Sequence, residues 1–236
     1  MIIIKEEFQK RKKRILQKVV SSYLEKGEPV ASSFLVYRYH LDLSSATIRN
    51  DFQRLSKEGY LYKCHISSGR LPTDKALKFF ISNILESGEI DQWKHRWFEK
   101  LKERISMLKD FDKLAEFLSE ETKSFSFFYL SDEDFLVKKG LRYLFANIDN
   151  SRNNVLELIE EVAESLEKFD KQIKNLKIED SPLVYIGREN PFVKIDCLSF
   201  LGEKSHSKNG IFGILGSKRM PYEKNLGLIK AVSELV

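Results

Sequence analysis

The sequence predicts an α+β fold in which a helical N-terminal part precedes a C-terminal part of mixed helices and strands. Two observations support this prediction. Apolar residues recur at spacings of three and four through much of residues 6 to 121, which is the period of helices packed on one face. Short runs rich in β-branched and aromatic residues occur between residues 123 and 217, separated by clusters of Gly, Pro, Ser and Asn.

The first three predicted elements are helices. The first covers about residues 6 to 25 and the second residues 32 to 39, with a turn over residues 40 to 43. The third begins at Ser44 or Ser45, either of which can cap its first amide groups. We interpret the second and third helices as a helix-turn-helix.

The third helix has two chemically different faces. Ile48, Phe52 and Leu55 form one buried stripe, and Gly59 ends the helix. The opposite face carries side chains that can hydrogen-bond to the edges of bases, and the major groove admits a helix of this kind. The residues of this polar face are Ser45, Thr47, Arg49, Asn50, Gln53 and Arg54.

A wing is predicted after the third helix. An extended segment from Leu61 to His65 leads into Ser67-Ser68-Gly69-Arg70, a turn with a basic tip. A further helix follows to about Glu89, with Thr73 as its N-cap. The order of elements is that of a winged helix-turn-helix.

The positive charge of the chain is concentrated in this region. The whole chain has 40 Lys and Arg against 35 Asp and Glu, a net charge of +5. Residues 1 to 90 hold 16 basic and 10 acidic residues, and the remainder holds 24 and 25. The run from Lys10 to Arg14 concentrates the excess further. A basic excess on a predicted helix-turn-helix indicates that the partner is nucleic acid.

The C-terminal part begins with a helix and ends with strands. Residues 91 to 121 are predicted as one amphipathic helix, and Lys123 to Val137 as strand. Three further strand segments are LVYIG, FVKIDCLSF and GIFGIL, which start at residues 183, 192 and 210. A final, weakly amphipathic helix runs from Tyr222 to the C-terminus.

A long helix with a heptad seam is predicted over residues 152 to 178. The seam has two interpretations: a dimerisation coil, or packing within the chain, for which the helix at 97 to 118 is a candidate partner. We favour dimerisation. The residues of the seam are Val155, Ile159, Val162, Leu166, Phe169, Ile173 and Leu176.

Composition and termini predict a cytoplasmic, soluble protein. Cys64 and Cys197 lie far apart and are interpreted as reduced thiols. No apolar run approaches the ~20 residues that span a bilayer. The start MIIIKEEFQKRKKR lacks the order of a signal peptide.

Several segments resemble one protein family. GEPVASSFLVYRYHLDLSSATIRNDFQRLSKEGYL at 27–61 and SSGRLPTDKA at 67–76 closely resemble the heat-inducible transcription repressor HrcA of bacteria. VYIGRENP at 184–191 and GILGSKRMPYEK at 213–224 look like the effector-domain signatures of that family. KKGLRYLFANID at 138–149 looks like the start of its dimerisation region.

The resemblance implies a domain plan. Residues 1–90 form the winged-helix domain, 91–122 a helical connector, and 123–236 a GAF-like α+β effector domain with an inserted dimerisation segment at about 138–180. Family members are usually longer, and the shortage falls between about 110 and 140. The GAF-like domain is therefore expected to be shortened, and no ligand pocket is assigned to it.

The resemblance also implies a function. It implies repression of chaperone operons by a homodimer bound to an inverted-repeat operator in double-stranded DNA, with the GroEL chaperonin keeping the repressor active. The sequence also offers a physical reason for dependence on a chaperonin. The aromatic-rich stretch Phe125 to Phe135 is expected to be poorly covered in a shortened domain, and exposed apolar strands favour aggregation.

The predicted DNA contacts divide by role. Arg49 is the best candidate for guanine, and Asn50 or Gln53 for adenine. The first helix and the wing are expected to hold phosphates. The complete predicted set is Ser44, Ser45, Thr47, Arg49, Asn50, Gln53, Arg54, Lys57, His65, Ser68, Arg70, Lys12 and Lys13.

Metal, cofactor and catalysis are not predicted. Cys64-His65 has no partner at ligand spacing, and the chain contains no CxxC motif. Neither the pair Glu160-Glu161 nor Asp132 and Asp134 have a histidine or glycine-rich loop nearby. Two alternatives remain: a winged-helix regulator that responds to a small molecule in its C-terminal domain, and an enzyme with a winged-helix appendage. The enzyme requires convergent polar groups that the sequence does not show.

Overall fold

The structure is a computed structural model in which the chain divides into two compact units, Met1–Glu86 and Ser87–Val236. It describes the side chains from Gln9 onward. The described residues are 2–63, 69–103, 110–146, 155–176, 181–205 and 209–236. Within these ranges, no helix combines the length and the apolar composition needed to cross a bilayer.

The first unit is mainly helical, with one short antiparallel ribbon. In chain order its elements are α1 (Ile2–Lys26), α2 (Ser32–Tyr39), α3 (Ser45–Lys57), β1 (Leu61–Tyr62), β2 (Leu71–Pro72) and α4 (Asp74–Ser87). The helix ends follow local signals. Gly27, directly after α1, has a φ angle of 74°, and Gly59, two residues after α3, has a φ angle of 78°. Glycine adopts such positive φ angles without steric cost. Thr73 Oγ1 accepts a hydrogen bond from the Ala76 amide at 3.4 Å and so caps α4, as predicted.

The ribbon pairs Leu61 with Pro72 and Tyr62 with Leu71. An isolated bridge adds Val30, from the loop before α2, to the opposite edge at Arg70. The predicted extended segment to His65 is described only as far as residue 63, and strand geometry is confined to residues 61 and 62. Residues 64–68, which include the predicted contacts His65 and Ser68, lie outside the described residues.

The second unit is built around a five-stranded antiparallel sheet. Its elements are α5 (Glu89–Lys102), α6 (Phe111–Thr122), β3 (Phe125–Leu130), β4 (Phe135–Lys139), α7 (Leu141–Ala146), α8 (Val155–Lys174), β5 (Leu183–Ile186), a 3₁₀ turn (Gly187–Glu189), β6 (Leu198–Lys204), β7 (Gly210–Ser217) and α9 (Tyr222–Leu235). The strand order is β4-β3-β7-β6-β5, and every neighbouring pair is antiparallel. The mixed α+β prediction is confirmed.

Helices cover both faces of this sheet. On one face, α8 packs on alternate residues of the strands, among them Phe127 and Phe200. On the other face, Ser126 Oγ donates a hydrogen bond to the Ala115 carbonyl of α6 at 2.5 Å. The Tyr222 hydroxyl of α9 donates to Ser199 Oγ at 3.1 Å on that same face. Because side chains alternate along a strand, the two sets of contacts define a three-layer arrangement.

The expected exposure of the aromatic stretch is wrong. Every residue of β3 is buried, and the exposed residues of this stretch are those of the turn at 131–134 and Phe135, which begins β4. The reason is topological: β3 is a central strand that pairs with β4 on one side and β7 on the other, with helices on both of its faces. The β3 part of the stretch therefore does not supply the uncovered strand that was expected, and only Phe135 of the edge strand β4 is an exposed aromatic residue of the stretch.

Three predicted elements differ from the structure. The strand predicted over Lys123 to Val137 is two strands, β3 and β4, which a turn at 131–134 separates. The predicted helix over 91–121 is interrupted: among the described residues, α5 ends at Lys102 and α6 begins after Asp110, whose carboxylate accepts hydrogen bonds from the amides of Asp112 and Lys113. The predicted strand FVKIDCLSF starts only at Leu198. Before this strand the chain turns at Asn190, whose Oδ1 accepts a hydrogen bond from the Phe192 amide at 3.0 Å.

The apolar seam of α8 packs within its own chain. Val162, Phe169 and Ile173 are at most 1% exposed and belong to the core that includes Phe127 and Phe192. Their partner is the sheet, and not the helix at 97–118 that the sequence suggested. The remaining members of the seam are partly buried against the same core, namely Val155, Ile159, Leu166 and Leu176.

Candidate nucleic-acid interface

The orientation of α3 follows from its N-cap and its apolar stripe. Ser44 has an extended backbone, and its Oγ accepts a hydrogen bond from the Thr47 amide at 3.1 Å, which satisfies one free donor at the helix start. Ile48, Phe52 and Leu55 are buried, as predicted. With this stripe in the core, the opposite side of α3 faces outward.

The outward side of α3 carries most of the predicted base-reading residues. Ser45 and Thr47 are half-buried, and the Thr47 hydroxyl lies 2.9 Å from Ser44 Oγ, so it already takes part in the cap. The exposed members of the set are Ser44, Arg49, Asn50, Gln53, Arg54 and Lys57. The structure thus brings two arginines, one lysine and two amides onto one solvent-facing surface, a donor-rich combination suited to base edges and phosphates.

Two ion pairs hold α3 against α1. The Arg11 guanidinium donates from Nε and Nη2 to the two oxygens of Asp51 at 3.0 and 3.1 Å. The Lys12 ammonium donates to Glu58 Oε1 at 2.5 Å. Asp51 is almost completely buried, and burying a carboxylate without a hydrogen-bonded partner of this kind would be costly.

The prediction that Lys12 contacts a phosphate is wrong. Lys12 is buried and pairs with Glu58, so its charge is directed into the protein. Lys10, Lys13 and Arg14 are exposed and keep the basic run accessible at three positions. Neighbours on a helix point in different directions, and only the packing of α1 against α3 decides which basic residues reach solvent.

Sequence reasoning missed Arg11, Asp51 and Glu58. A signal for one of them was present, since Asp51 stands three residues after Ile48 and four before Leu55, on the edge of the apolar stripe. A carboxylate at such a position is seldom buried unless it is paired. The adjacent basic run supplied an obvious class of partner, although not the particular residue.

The base of the ribbon is held by main-chain contacts. The Val30 amide donates to the Arg70 carbonyl and the Arg70 amide to the Val30 carbonyl, both at 2.9 Å. Gly69 is required here, because a Cβ atom at this position would collide with the Val30 carbonyl group. Arg70 itself is half-buried, and its Nε has no hydrogen-bond partner among the described residues.

Two of the carboxylates considered for catalysis, Asp132 and Asp134, have structural partners. Asp132 Oδ1 accepts from Asn209 Nδ2 at 2.9 Å, and Asp134 pairs with Lys174 at 2.6 Å. Both belong to the turn between β3 and β4. In the part of the chain that the structure describes, no group of three or more His, Cys, Asp and Glu side chains is arranged to hold a metal ion.

An open cavity of about 350 Å³ lies on the second unit. It is lined in part by Asp91, Lys94, Glu203 and Glu234. Lys94 Nζ donates to Glu234 Oε1 at 2.9 Å, and this hydrogen bond raises the pKa of Lys94 above its usual value. Two of the lining charges, Lys94 and Glu234, therefore pair with each other, and we assign no ligand to this cavity.

Curated proteins that share this sequence pattern are named as repressors. The heat-inducible transcription repressor HrcA of Chlamydia muridarum is 42% identical over 109 residues, which cover 45% of this chain and 28% of that protein. The repressor of the same name from Pseudarthrobacter chlorophenolicus is 40% identical over 113 residues, which cover 48% of this chain and 34% of that protein. The matched segment spans about a third or less of each relative.

A solved structure shares the fold of the chain. The crystal structure of a hypothetical protein superposes with a TM-score of 0.69 at 18% identity and covers 94% of this chain and 95% of that chain. The model of the HrcA protein C terminal domain matches residues 74–226, which is more than half of the chain. The chain therefore belongs to the HrcA family.

Proposed function

We propose that this protein is a sequence-specific, DNA-binding transcription repressor of heat-shock chaperone operons, which acts in the cytoplasm without catalysis. One observation carries the proposal: the polar face of α3 is exposed above a buried stripe, on the unit that contains the basic excess of the chain. The name shared by its relatives, heat-inducible transcription repressor HrcA, supports the regulatory role.

In this proposal the first unit is a winged helix-turn-helix. α2 and α3 form the helix-turn-helix, α3 enters the major groove, and the ribbon of β1 and β2 forms the base of the wing. Arg49 reads guanine, and Asn50 or Gln53 reads adenine. Lys13, Lys57 and the wing hold phosphates.

The second unit is proposed to be the GAF-like effector domain that joins two copies of the chain. A homodimer presents two α3 helices, and an inverted repeat offers two matching half-sites. We propose that the dimer uses the flank of α8 that the sheet leaves accessible, including Leu156, which is 77% exposed. The partly buried seam residues Ile159 and Leu166 border this flank.

The GroEL chaperonin is a proposed partner on the family resemblance alone. Because β3 is buried, an uncovered strand is no longer a reason to expect that the protein needs the chaperonin. The proposal predicts that added chaperonin raises the fraction of purified protein that is active in operator titration. An active fraction that stays constant at every chaperonin concentration would remove the chaperonin from this mechanism and leave DNA binding untouched.

Footprinting on the promoters of the chaperone operons of the organism tests the function directly. We expect protection of an inverted repeat by the wild-type protein. Arg49→Ala should weaken binding to that repeat by about 1–3 kcal/mol while affinity for random duplex barely changes, because a bidentate base contact is lost.

The matched control is Lys57→Ala on the same helix, which should weaken both duplexes equally if Lys57 contacts phosphate. If Arg49→Ala loses the same affinity for the inverted repeat as for random duplex, Arg49 contacts phosphate and not a base. A wild-type protein that protects no promoter sequence would contradict the proposed function as a whole.

A further inference from the structure

The two ion pairs between α1 and α3 have a role beyond holding the fold. We infer that Asp51 and Arg11 are positioning residues for base reading, which set the rotation of α3 about its axis. This inference rests on the proposed function and adds to it a determinant of specificity that contacts no DNA. Neither residue belongs to the polar face that is proposed to enter the groove.

The geometry of the first pair defines a direction as well as a distance. Both oxygens of Asp51 accept hydrogen bonds from one guanidinium, at 3.0 and 3.1 Å. A bidentate pair of this type is planar and tolerates little rotation. The Asp51 side chain is 1% exposed, so water does not compete for its oxygens.

The second pair adds an attachment at a different height on α3. Glu58 follows Asp51 by seven residues, which is about two turns and about 10 Å along a helix. Its partner Lys12 is the immediate neighbour of Arg11, and Lys75 Nζ also donates to the Glu58 carbonyl at 2.8 Å. Two attachments at different heights oppose sliding and tilting of α3 as well as rotation.

The apolar stripe alone does not define rotation to the same degree. Contacts of Ile48, Phe52 and Leu55 with the core are non-directional, since burial depends on area removed from water. A rotation of about 10° moves a group about 6 Å from a helix axis by about 1 Å. Functional groups need to be held within about 0.5 Å. The side chains that such a rotation would displace are Arg49, Asn50 and Gln53.

The test compares variants that keep the net charge of the protein. Arg11→Lys preserves the ion pair but loses the planar fork of donors. Arg11→Met combined with Asp51→Asn removes one positive and one negative charge. Because neither change alters the net charge, affinity for random duplex should stay within about twofold of wild type.

The measured quantity is the ratio of two affinities. One is for a duplex that the wild-type protein selects from a randomised pool, and the other is for random duplex at the same salt concentration. We expect the ratio to fall about tenfold in the double variant, the value of one lost base contact, and by less in Arg11→Lys. Glu234→Gln, which removes the partner of Lys94 in the second unit, should leave the ratio unchanged.

The outcomes separate the inference from the function on which it rests. A wild-type protein that selects no sequence contradicts the proposed function. A wild-type protein that selects a sequence, with unchanged ratios in both Arg11 variants and a lowered Tm in the double variant, would show that the pair only stabilises the fold. Arg11→Lys keeps the buried carboxylate paired, so it remains folded and decides the question if the double variant unfolds.

Discussion

Phe169 tests whether the apolar seam of α8 belongs to the core of one chain or to an interface between two. Its ring is fully buried, and the ring centroids of Phe127 and Phe192 lie 5.1 and 5.0 Å away. Phe125 adds an edge-to-face contact at 5.6 Å. The ring therefore fills the centre of an aromatic cluster, where its removal leaves a cavity that rigid neighbours cannot close.

Phe169→Ala should lower the free energy of unfolding of the second unit by about 3–5 kcal/mol, the range for removing a buried aromatic side chain. For a domain of this size each kcal/mol corresponds to about 2–4 °C, so Tm should fall by about 6–20 °C. Thermal unfolding followed by circular dichroism at two protein concentrations, tenfold apart, measures this. Lys168→Ala is the matched control, because it truncates an exposed side chain of the same helix and should change stability by less than about 0.5 kcal/mol.

Two results would refute this reasoning. A loss below about 1 kcal/mol in Phe169→Ala, no larger than that of an average substitution, would mean that the ring is not packed in the core. A wild-type Tm that rises with protein concentration, together with a variant Tm that does not, would assign Phe169 to the contact between two chains.

Three further predictions address charge and assembly. Lys13→Ala should reduce the slope of log affinity for DNA against log salt concentration by about one unit. Lys12→Ala should mainly lower Tm, because Glu58 loses its partner. Equal slopes in the two variants would contradict the assignment of Lys13, and not Lys12, to a phosphate contact. Leu156→Asp should dissociate the dimer in sedimentation without changing circular dichroism, and a dimer that persists would exclude this flank of α8. Burial, with a smaller contribution from Glu89, raises the pKa of Glu223, so the folded state holds this proton to a higher pH than the unfolded state does. The stability that protonated Glu223 contributes is fully present below the pKa of this group in the unfolded state, and it declines as pH rises through its pKa in the folded state. Glu223→Gln should therefore unfold at a higher temperature than wild type at pH 7, and an unchanged or lower Tm would contradict the shift.

Local chemistry in the sequence was enough to predict α3. The hydroxyl at Ser44, the spacing of Ile48, Phe52 and Leu55, and the terminating Gly59 all act within a few residues, so a single sequence displays them. Extended structure over Lys123 to Val137 was also predicted, because aromatic and β-branched residues cluster there, but the turn that divides this segment into β3 and β4 was not. The predicted faces of α3 followed from the same period, which is a property of the helix itself.

Tertiary structure decided which partners these faces meet. The sequence marked the seam of α8 as buried, but a heptad pattern does not say whether the cover is a second helix, a second chain or, as here, a sheet. The coverage of β3 depended on its central place between β4 and β7, and the residues that pair β3 with β7 are 80 to 90 positions apart in the sequence.

The division within the basic run has the same cause. Lys12 and Lys13 are adjacent and chemically identical, yet one is buried against a carboxylate 46 residues away and the other is exposed. Periodicity and composition indicate whether a residue is apolar or charged and where the chain turns within a few positions. The identity of a distant partner depends on how the helices pack. The sequence by itself therefore determined the exposed polar face of α3, and only the tertiary structure showed that Arg11, Lys12, Asp51 and Glu58 hold this helix in place.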